Sequence, residues 1–182
     1  MVDGINLKTL NLQEARQTFS VITQNPILFT GSLRRNLDPF NKHTDQDLWT
    51  ALEDVQMKHW VLQLPGHLQY KLIESGSNLS VGERQLVCLT RVLLQNNKIV
   101  ILDEATANVD FKTDRLIQEV IRTKLNNVTV LTIAHRLDTI VDYDRVMVLD
   151  KGRVVEFDKP SVLLSEKGSY FADLVKSYNT TV

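Results

Sequence analysis

Cysteine is almost absent from the 182-residue sequence, in which Cys88 is the only one. A single cysteine excludes a disulfide framework and most cysteine-based metal sites, and it is typical of a reducing compartment. No apolar run approaches the roughly 18–20 residues that a membrane-spanning helix requires. Residues 1–6 contain neither the basic nor the apolar segment of a secretory signal peptide, so none is predicted.

An excess of charge of either sign is also missing. Lys and Arg number 21 and Asp and Glu number 22, which gives a net charge of −1. Nucleic-acid-binding domains usually carry clustered positive charge, so the composition argues against a nucleic-acid partner. Hydrophobic residues at 43% and charged residues at 24% are ordinary globular proportions, and the chain is long enough to form one good core.

Strand-like and helix-like segments alternate along the chain. Runs rich in β-branched residues predict strands at 18–23, 98–102 and 128–133, and a hairpin at 145–157. Apolar residues at helical spacing predict helices within 10–17, 31–64, 78–95, 112–125 and 160–177. This alternation indicates an α/β fold with a mostly parallel sheet.

The segment from 31 to 95 has only helical patterns, so we expect it to form an inserted helical subdomain. Its core is predicted to contain Leu48, Trp49, Leu52 and Val55. The sheet core is assigned to residues 1–30 and 96–182, with Val100, Ile101, Leu131 and Ile133 buried in it.

Two adjacent carboxylates follow the predicted strand at 98–102. Asp103 and Glu104 therefore lie where open α/β sheets bind ligands, at the carboxyl end of a strand. An aspartate there suits Mg²⁺, and a second carboxylate can orient or deprotonate a water molecule. Taken alone, the pair favours a functional site only slightly over a strand that ends in an acidic turn.

The segment Leu79-Ser80-Val81-Gly82-Glu83-Arg84-Gln85 precedes an apolar helical pattern. Ser80 and Glu83 have the spacing of a capping box. The positive end of a helix binds anions, and a glycine there lets a phosphate approach the backbone closely. For Ser80 and Glu83 alone, an ordinary capped helix without a ligand is the better explanation.

Three further residues are candidates for the site only because of their positions relative to the predicted strands. Gln24 and His135 follow predicted strands, and Asp110 stands shortly after the carboxylate pair. By itself a lone histidine is more often structural than catalytic, and Asp110 also suits a simple helix cap.

In combination, these motifs resemble the nucleotide-binding domain of ATP-binding-cassette (ABC) proteins. The resemblance covers Met1 to about Ser177 and rests on the heptad at 79–85 and on the strand that ends in Asp103-Glu104. The segment from Phe29 to Phe40, FTGSLRRNLDPF, is similar to the second nucleotide-binding domain of the multidrug-resistance-associated (C) subfamily of exporters. The resemblance implies a P-loop NTPase-type fold and Mg²⁺-dependent ATP hydrolysis.

The resemblance also implies a role for each residue around the nucleotide. Gln24 would contact Mg²⁺ and the attacking water, and Asp103 would hold Mg²⁺. Glu104 would be the catalytic base and His135 would contact the γ-phosphate.

Further residues would act across a dimer. Ser80, Val81, Gly82 and Glu83 would bind ATP held on a second nucleotide-binding domain, in a head-to-tail dimer that Asp110 helps to close. Other expected partners are the membrane domains of an exporter, which would hold the chain at the cytoplasmic face of a membrane.

The sequence departs from the family pattern in one respect: it contains no Gly-x-x-x-x-Gly-Lys-Ser/Thr phosphate loop. We therefore expect the chain to be the carboxyl-terminal part of such a domain, incomplete at its amino end and inactive alone. A truncated product, an incomplete gene model and a degenerate copy all remain open.

Two other functional classes compete with an exporter motor. The DNA-repair members of the family have a long coiled coil between the two motifs that Gln24 and Ser80 match. The sequence between Gln24 and Ser80 is too short to contain one, so a DNA-repair relative is disfavoured. A non-catalytic docking fragment that offers its signature face to another domain remains the alternative.

Overall fold

The computed structural model describes residues 1–106, 108–133 and 137–181. The chain forms two compact units, Met1–Ile133 and Ala134–Val182. None of the helices in the described ranges is long and apolar enough to cross a membrane.

The first unit contains most of the predicted elements. Its α-helices are α1 (Leu12–Gln17), α2 (Leu33–Leu37), α3 (Asp45–Asp54), α4 (Lys58–Gln63), α5 (Val81–Gln95) and α6 (Phe111–Lys124). Its strands are β1 (Phe19–Ile22), β2 (Gly31–Ser32), β3 (Lys71–Leu72), β4 (Ile99–Asp103) and β5 (Thr129–Ile133). Short 3-10 helices lie at Leu7–Thr9, His67–Gln69 and Glu74–Gly76.

A three-stranded parallel sheet in the order β1-β4-β5 is the centre of this unit. In the register, Ile22 pairs with Leu102 and Asp103 pairs with Ile133. Because the strands are parallel, their carboxyl ends lie at the same edge of the sheet. The predicted mostly parallel sheet is therefore confirmed for the described residues.

The two faces of this sheet differ in burial. Ile22, Val100 and Leu102 point to one face and are at most 3% exposed. Val21 and Leu131 lie in one row on the other face and are 54% and 53% exposed. The prediction that Leu131 and Ile133 are buried is wrong, because each is 53% exposed on this face, whereas the predicted core residue Ile101 is half-buried.

Helix α5 joins the helical segment to the sheet. It packs on β1 and on α2, α3 and α6. Leu48, Leu52 and Val55 are fully buried, as predicted, but they belong to the same continuous cluster of buried side chains as Val100 and Leu102. The helical segment therefore has no separate core, and its boundaries as a subdomain stay a prediction.

The second unit begins with a short helix and a hairpin. Its elements are α7 (Leu137–Ile140), β6 (Val146–Asp150), β7 (Arg153–Asp158), α8 (Pro160–Ser165) and α9 (Tyr170–Thr181). Strands β6 and β7 are antiparallel, which confirms the predicted hairpin.

The single helix predicted at 160–177 is instead two helices. Gly168 between them has a φ of +81°, outside the helical range. The Glu156 carboxylate accepts hydrogen bonds from the backbone N–H groups of Tyr170 and Phe171, at 2.7 and 3.0 Å. A carboxylate from β7 thus satisfies the first donors of α9, which starts a new helix rather than continuing α8.

Candidate functional site

The carboxylate pair lies at the carboxyl end of the central strand. Asp103 is the last residue of β4, and Glu104 follows it with a φ of +48°, in the left-handed region. The Glu104 N–H donates to the Ile133 carbonyl at 2.9 Å, which holds this turn against the end of β5. A left-handed non-glycine residue is strained and such residues cluster at functional sites.

Gln24 lies at the same edge of the sheet. It stands two residues beyond β1, whose last residue pairs with Leu102 of β4. The side chain of Gln24 is exposed, whereas Asp103 and Glu104 are half-buried. The register thus brings the three predicted residues to one edge.

Ser80 caps helix α5 as the sequence predicts. The Ser80 Oγ accepts from the Glu83 N–H at 3.2 Å, and the Ser80 N–H donates to Glu83 Oε2 at 2.7 Å. This capping box fixes the first turn, which begins at Val81 and contains the buried Gly82. The backbone N–H groups at this end give α5 a partial positive charge.

Asp110 is the N-cap of α6. Its Oδ1 accepts from the backbone N–H groups of Lys112 and Thr113 at 3.1 and 3.0 Å. Hydrogen bonds from Thr113, first its side chain and then its backbone, lower the pKa of the Asp110 carboxyl. The cap holds Thr113 in place beside the first turn of α5.

Gly82 is required by packing, which the sequence alone does not reveal. A Cβ atom at this position would lie 2.9 Å from Thr113 Cγ2 and 3.2 Å from Thr113 Oγ1. The absence of a side chain lets the first turns of α5 and α6 touch. Gly82 therefore links the segment at 79–85 to the cap at Asp110.

We expect Gly82→Ala to destabilise the chain by about 1–3 kcal/mol, the usual cost of overpacking. In a helix without this neighbour the same change would stabilise, because alanine is the better helix former. Urea unfolding of Gly82→Ala, Thr113→Ala and the double variant measures the coupling between the two positions. Thr113→Ala removes the two atoms nearest to the added Cβ, so Gly82→Ala should cost less stability in the Thr113→Ala chain than in the wild-type chain. An equal cost in both chains would contradict the contact between Gly82 and Thr113.

His135 lies outside the described residues. Strand β5 ends at Ile133, which pairs with Asp103. The role assigned to His135 therefore stays a prediction.

The donor set fits Mg²⁺ bound together with a phosphate ligand. Among the described residues there is no group of three or more His, Cys, Asp or Glu side chains that could hold a metal by themselves. Mg²⁺ is typically bound by one or two protein oxygens, with waters and substrate phosphates as its other ligands. Asp103, with its hard carboxylate oxygens, meets this requirement.

Sequence reasoning assigned no positioning role to four residues that hold the segments around this site: Asn36, Gln85, Arg91 and Thr113. Asn36 and Gln85 are at most 2% exposed although they are polar. The available signal for Gln85 was its place among the apolar positions of α5, since buried amides require specific partners.

The ABC transporter family model matches residues 1–107 of the chain. The mouse protein named ATP-binding cassette sub-family C member 4 is 56% identical over 175 residues, which are 96% of this chain and 13% of that protein. The Caenorhabditis elegans multidrug resistance protein mrp-7 is 51% identical over 175 residues, which are 96% of this chain and 12% of that protein. The chain thus spans only about an eighth of the length of these relatives.

A solved structure of a bacterial Atm1-family ABC exporter with ATP bound has the same fold. The TM-score is 0.83 at 29% sequence identity, over 91% of this chain and 29% of that chain. This likeness confirms the predicted α/β fold of the P-loop NTPase type. The relatives' names also agree with the predicted likeness to the multidrug-resistance-associated (C) subfamily.

Proposed function

Because the chain belongs to the ABC transporter family, we propose that it is part of the second nucleotide-binding domain of a C-subfamily exporter, in which ATP hydrolysis drives transport. One observation carries the proposal. Gln24, Asp103 and Glu104 stand at one edge of the sheet, and α5 is hydrogen-bonded to the backbone at Gln24. Such an edge is where α/β sheets bind nucleotides.

In this proposal the chain's own residues divide the work of hydrolysis. Glu104 accepts a proton from the attacking water, and Gln24 and His135 orient groups around the γ-phosphate. Asp103 and Gln24 would hold Mg²⁺, which neutralises phosphate charge when it is bound. The positive end of α5, formed by Ser80, Val81, Gly82 and Glu83, would bind the γ-phosphate held by a partner domain.

The proposed partners follow from this arrangement. A second nucleotide-binding domain would form a head-to-tail dimer with the chain, with Asp110 near the dimer contact. The membrane domains of the exporter would hold both at the cytoplasmic face of the membrane. The near-neutral net charge of −1 argues against a nucleic-acid partner.

The capped end of α5 favours a second candidate, a non-catalytic docking fragment. The 182 residues contain no Gly-x-x-x-x-Gly-Lys-Ser/Thr motif, whose backbone N–H groups and lysine bind phosphates in P-loop proteins. Such a fragment would offer the end of α5 in trans without hydrolysing ATP itself.

We expect the isolated chain neither to bind Mg-ATP tightly nor to hydrolyse it. Grafted in place of the matching 175 residues of the mouse relative, the chain should support hydrolysis, because the remainder of that protein completes the site. Calorimetry on the chain and phosphate release by the graft test the two halves of the prediction. Micromolar affinity in the isolated chain would contradict the first, and a folded, nucleotide-binding graft without turnover would favour the docking fragment.

A further inference from the structure

A buried glutamine on α5 holds the backbone at Gln24. Gln85 is 2% exposed, and its Nε2 donates to the carbonyl of Thr23 at 3.1 Å and to that of Gln24 at 3.0 Å. These partners are more than 60 positions away in the sequence. Both amide hydrogens of the side chain are thereby used on one segment of backbone.

The orientation of this amide follows from its partners. Turning the amide over would place Oε1 against two carbonyl oxygens, all three of them acceptors. In the observed orientation no donor within the described residues reaches the buried Oε1. A buried acceptor without a donor is destabilising. An apolar side chain would avoid that penalty, so the two donated hydrogen bonds are what a glutamine contributes here.

A second group on α5 holds the other end of the same segment. Arg91 Nη1 donates to the Ile27 carbonyl at 2.7 Å, and the guanidinium lies 5.3 Å from the centre of the Phe29 ring. Asn36 accepts from the Phe29 N–H at 3.1 Å and donates to the Phe29 carbonyl at 2.9 Å. Helix α5 therefore holds the backbone of residues 23–27 near both ends, and Asn36 of α2 holds Phe29.

We propose that Gln85 is the positioning residue for Gln24. By holding the Gln24 carbonyl, Gln85 fixes the backbone from which the Gln24 side chain extends. The proposed function places that side chain at the nucleotide, and the inference rests on that function. Because Gln85 lies one turn beyond the Ser80 cap, it also ties the placement of Gln24 to the anion-binding end of α5. Without its donors, residues 23 and 24 lose their fixed position while α5 remains a helix.

The test replaces Gln85 by methionine, which is also unbranched and similar in length but has no donor. Thr90→Val is the matched control. Thr90 lies on the same helix and is fully buried, but its Oγ1 donates to the Leu86 carbonyl at 2.8 Å and so stays within α5. Both variants remove buried polar donors, and only Gln85→Met frees residues 23 and 24.

The first measurement needs no ATP activity. In the full 182-residue chain, the carbonyl carbon NMR signals of Thr23 and Gln24 should shift in Gln85→Met and stay in place in Thr90→Val. The Leu86 carbonyl signal should respond only to Thr90→Val. If Gln85→Met does not fold, Gln85→Leu provides the same comparison.

The second measurement uses the graft into the mouse relative. We expect Gln85→Met to lower kcat about tenfold, the effect of losing one to two ordinary hydrogen bonds. The KM for ATP should change less than kcat, because Asp103 still contributes to the Mg²⁺ site while the Gln24 side chain at the attacking water is displaced. A merely structural loss would instead lower the amount of folded protein in both variants and leave kcat per folded molecule unchanged.

The outcomes separate this inference from the proposed function. A wild-type graft that folds without hydrolysing ATP contradicts the proposed function, and the NMR comparison still decides whether Gln85 holds the backbone. Unmoved Thr23 and Gln24 signals, or unchanged turnover in an active Gln85→Met graft, would overturn the positioning role.

Discussion

Glu104→Gln is expected to slow ATP hydrolysis by about 10²–10⁴-fold in the graft, while nucleotide binding is retained. The amide has the size of the carboxyl but cannot accept a proton from water. Glutamine also leaves the turn intact, since the Glu104 N–H that donates to Ile133 belongs to the backbone. Steady-state phosphate release, together with nucleotide titration of the same preparation, measures both effects.

Glu119→Gln provides a matched control for this prediction. Glu119 is an exposed residue of α6, so the same chemical change occurs away from the sheet edge. The control should hydrolyse ATP at the wild-type rate. If Glu104→Gln also keeps the wild-type turnover, Glu104 is not the base and the assignment fails.

Arg91→Met is expected to lower the stability of the first unit by about 1.5–3 kcal/mol, the range for hydrogen bonds made by a charged group. The guanidinium donates to the Asn36 carbonyl through Nε, to Asn36 Oδ1 at 3.0 Å and to the Ile27 carbonyl at 2.7 Å. Burial lowers the pKa of Arg91, yet a guanidinium remains charged at neutral pH. Methionine fills part of the space and removes the Arg91 donors from the carbonyls of Ile27 and Asn36, while Asn36 Oδ1 still accepts from the Phe29 N–H.

Tryptophan fluorescence during urea unfolding measures this loss. Both tryptophans, Trp49 and Trp60, pack against the core of the first unit, so the signal reports on that unit. Arg91→Lys should lose an intermediate amount, since lysine keeps the charge without the planar fork of donors. Arg16→Met, at an exposed position of α1, should change stability by no more than about 0.5 kcal/mol. A loss in Arg91→Met that is equally small would contradict the network.

Local sequence patterns were sufficient for the elements that local forces decide. The β-branched run before Asp103 predicted β4, and the spacing of Ser80 and Glu83 predicted the cap of α5. Local patterns gave the wrong prediction where a group distant in sequence determines the structure. Glu156 on β7 starts α9 and divides the last helix, and no pattern within 160–177 contains that information.

The candidate site shows the same division. Residues adjacent in sequence, such as Asp103 and Glu104, were predicted together because their chemistry depends on one strand end. Gln85 and Arg91 were missed because their partners lie about 55–64 positions away. Gln85 and Arg91 donate to backbone carbonyls. Because every residue has a carbonyl, the sequence does not mark which ones these side chains contact.

The uneven burial of the β1-β4-β5 sheet has a consequence for handling the isolated chain. Val21, Leu131 and Ile133, each more than half exposed, present an apolar face to water. Parallel sheets are normally covered on both faces, and exposed apolar faces of this kind promote association between molecules. The isolated chain is therefore expected to self-associate more strongly as its concentration rises. Mild detergent, which covers apolar surface, should reduce this association.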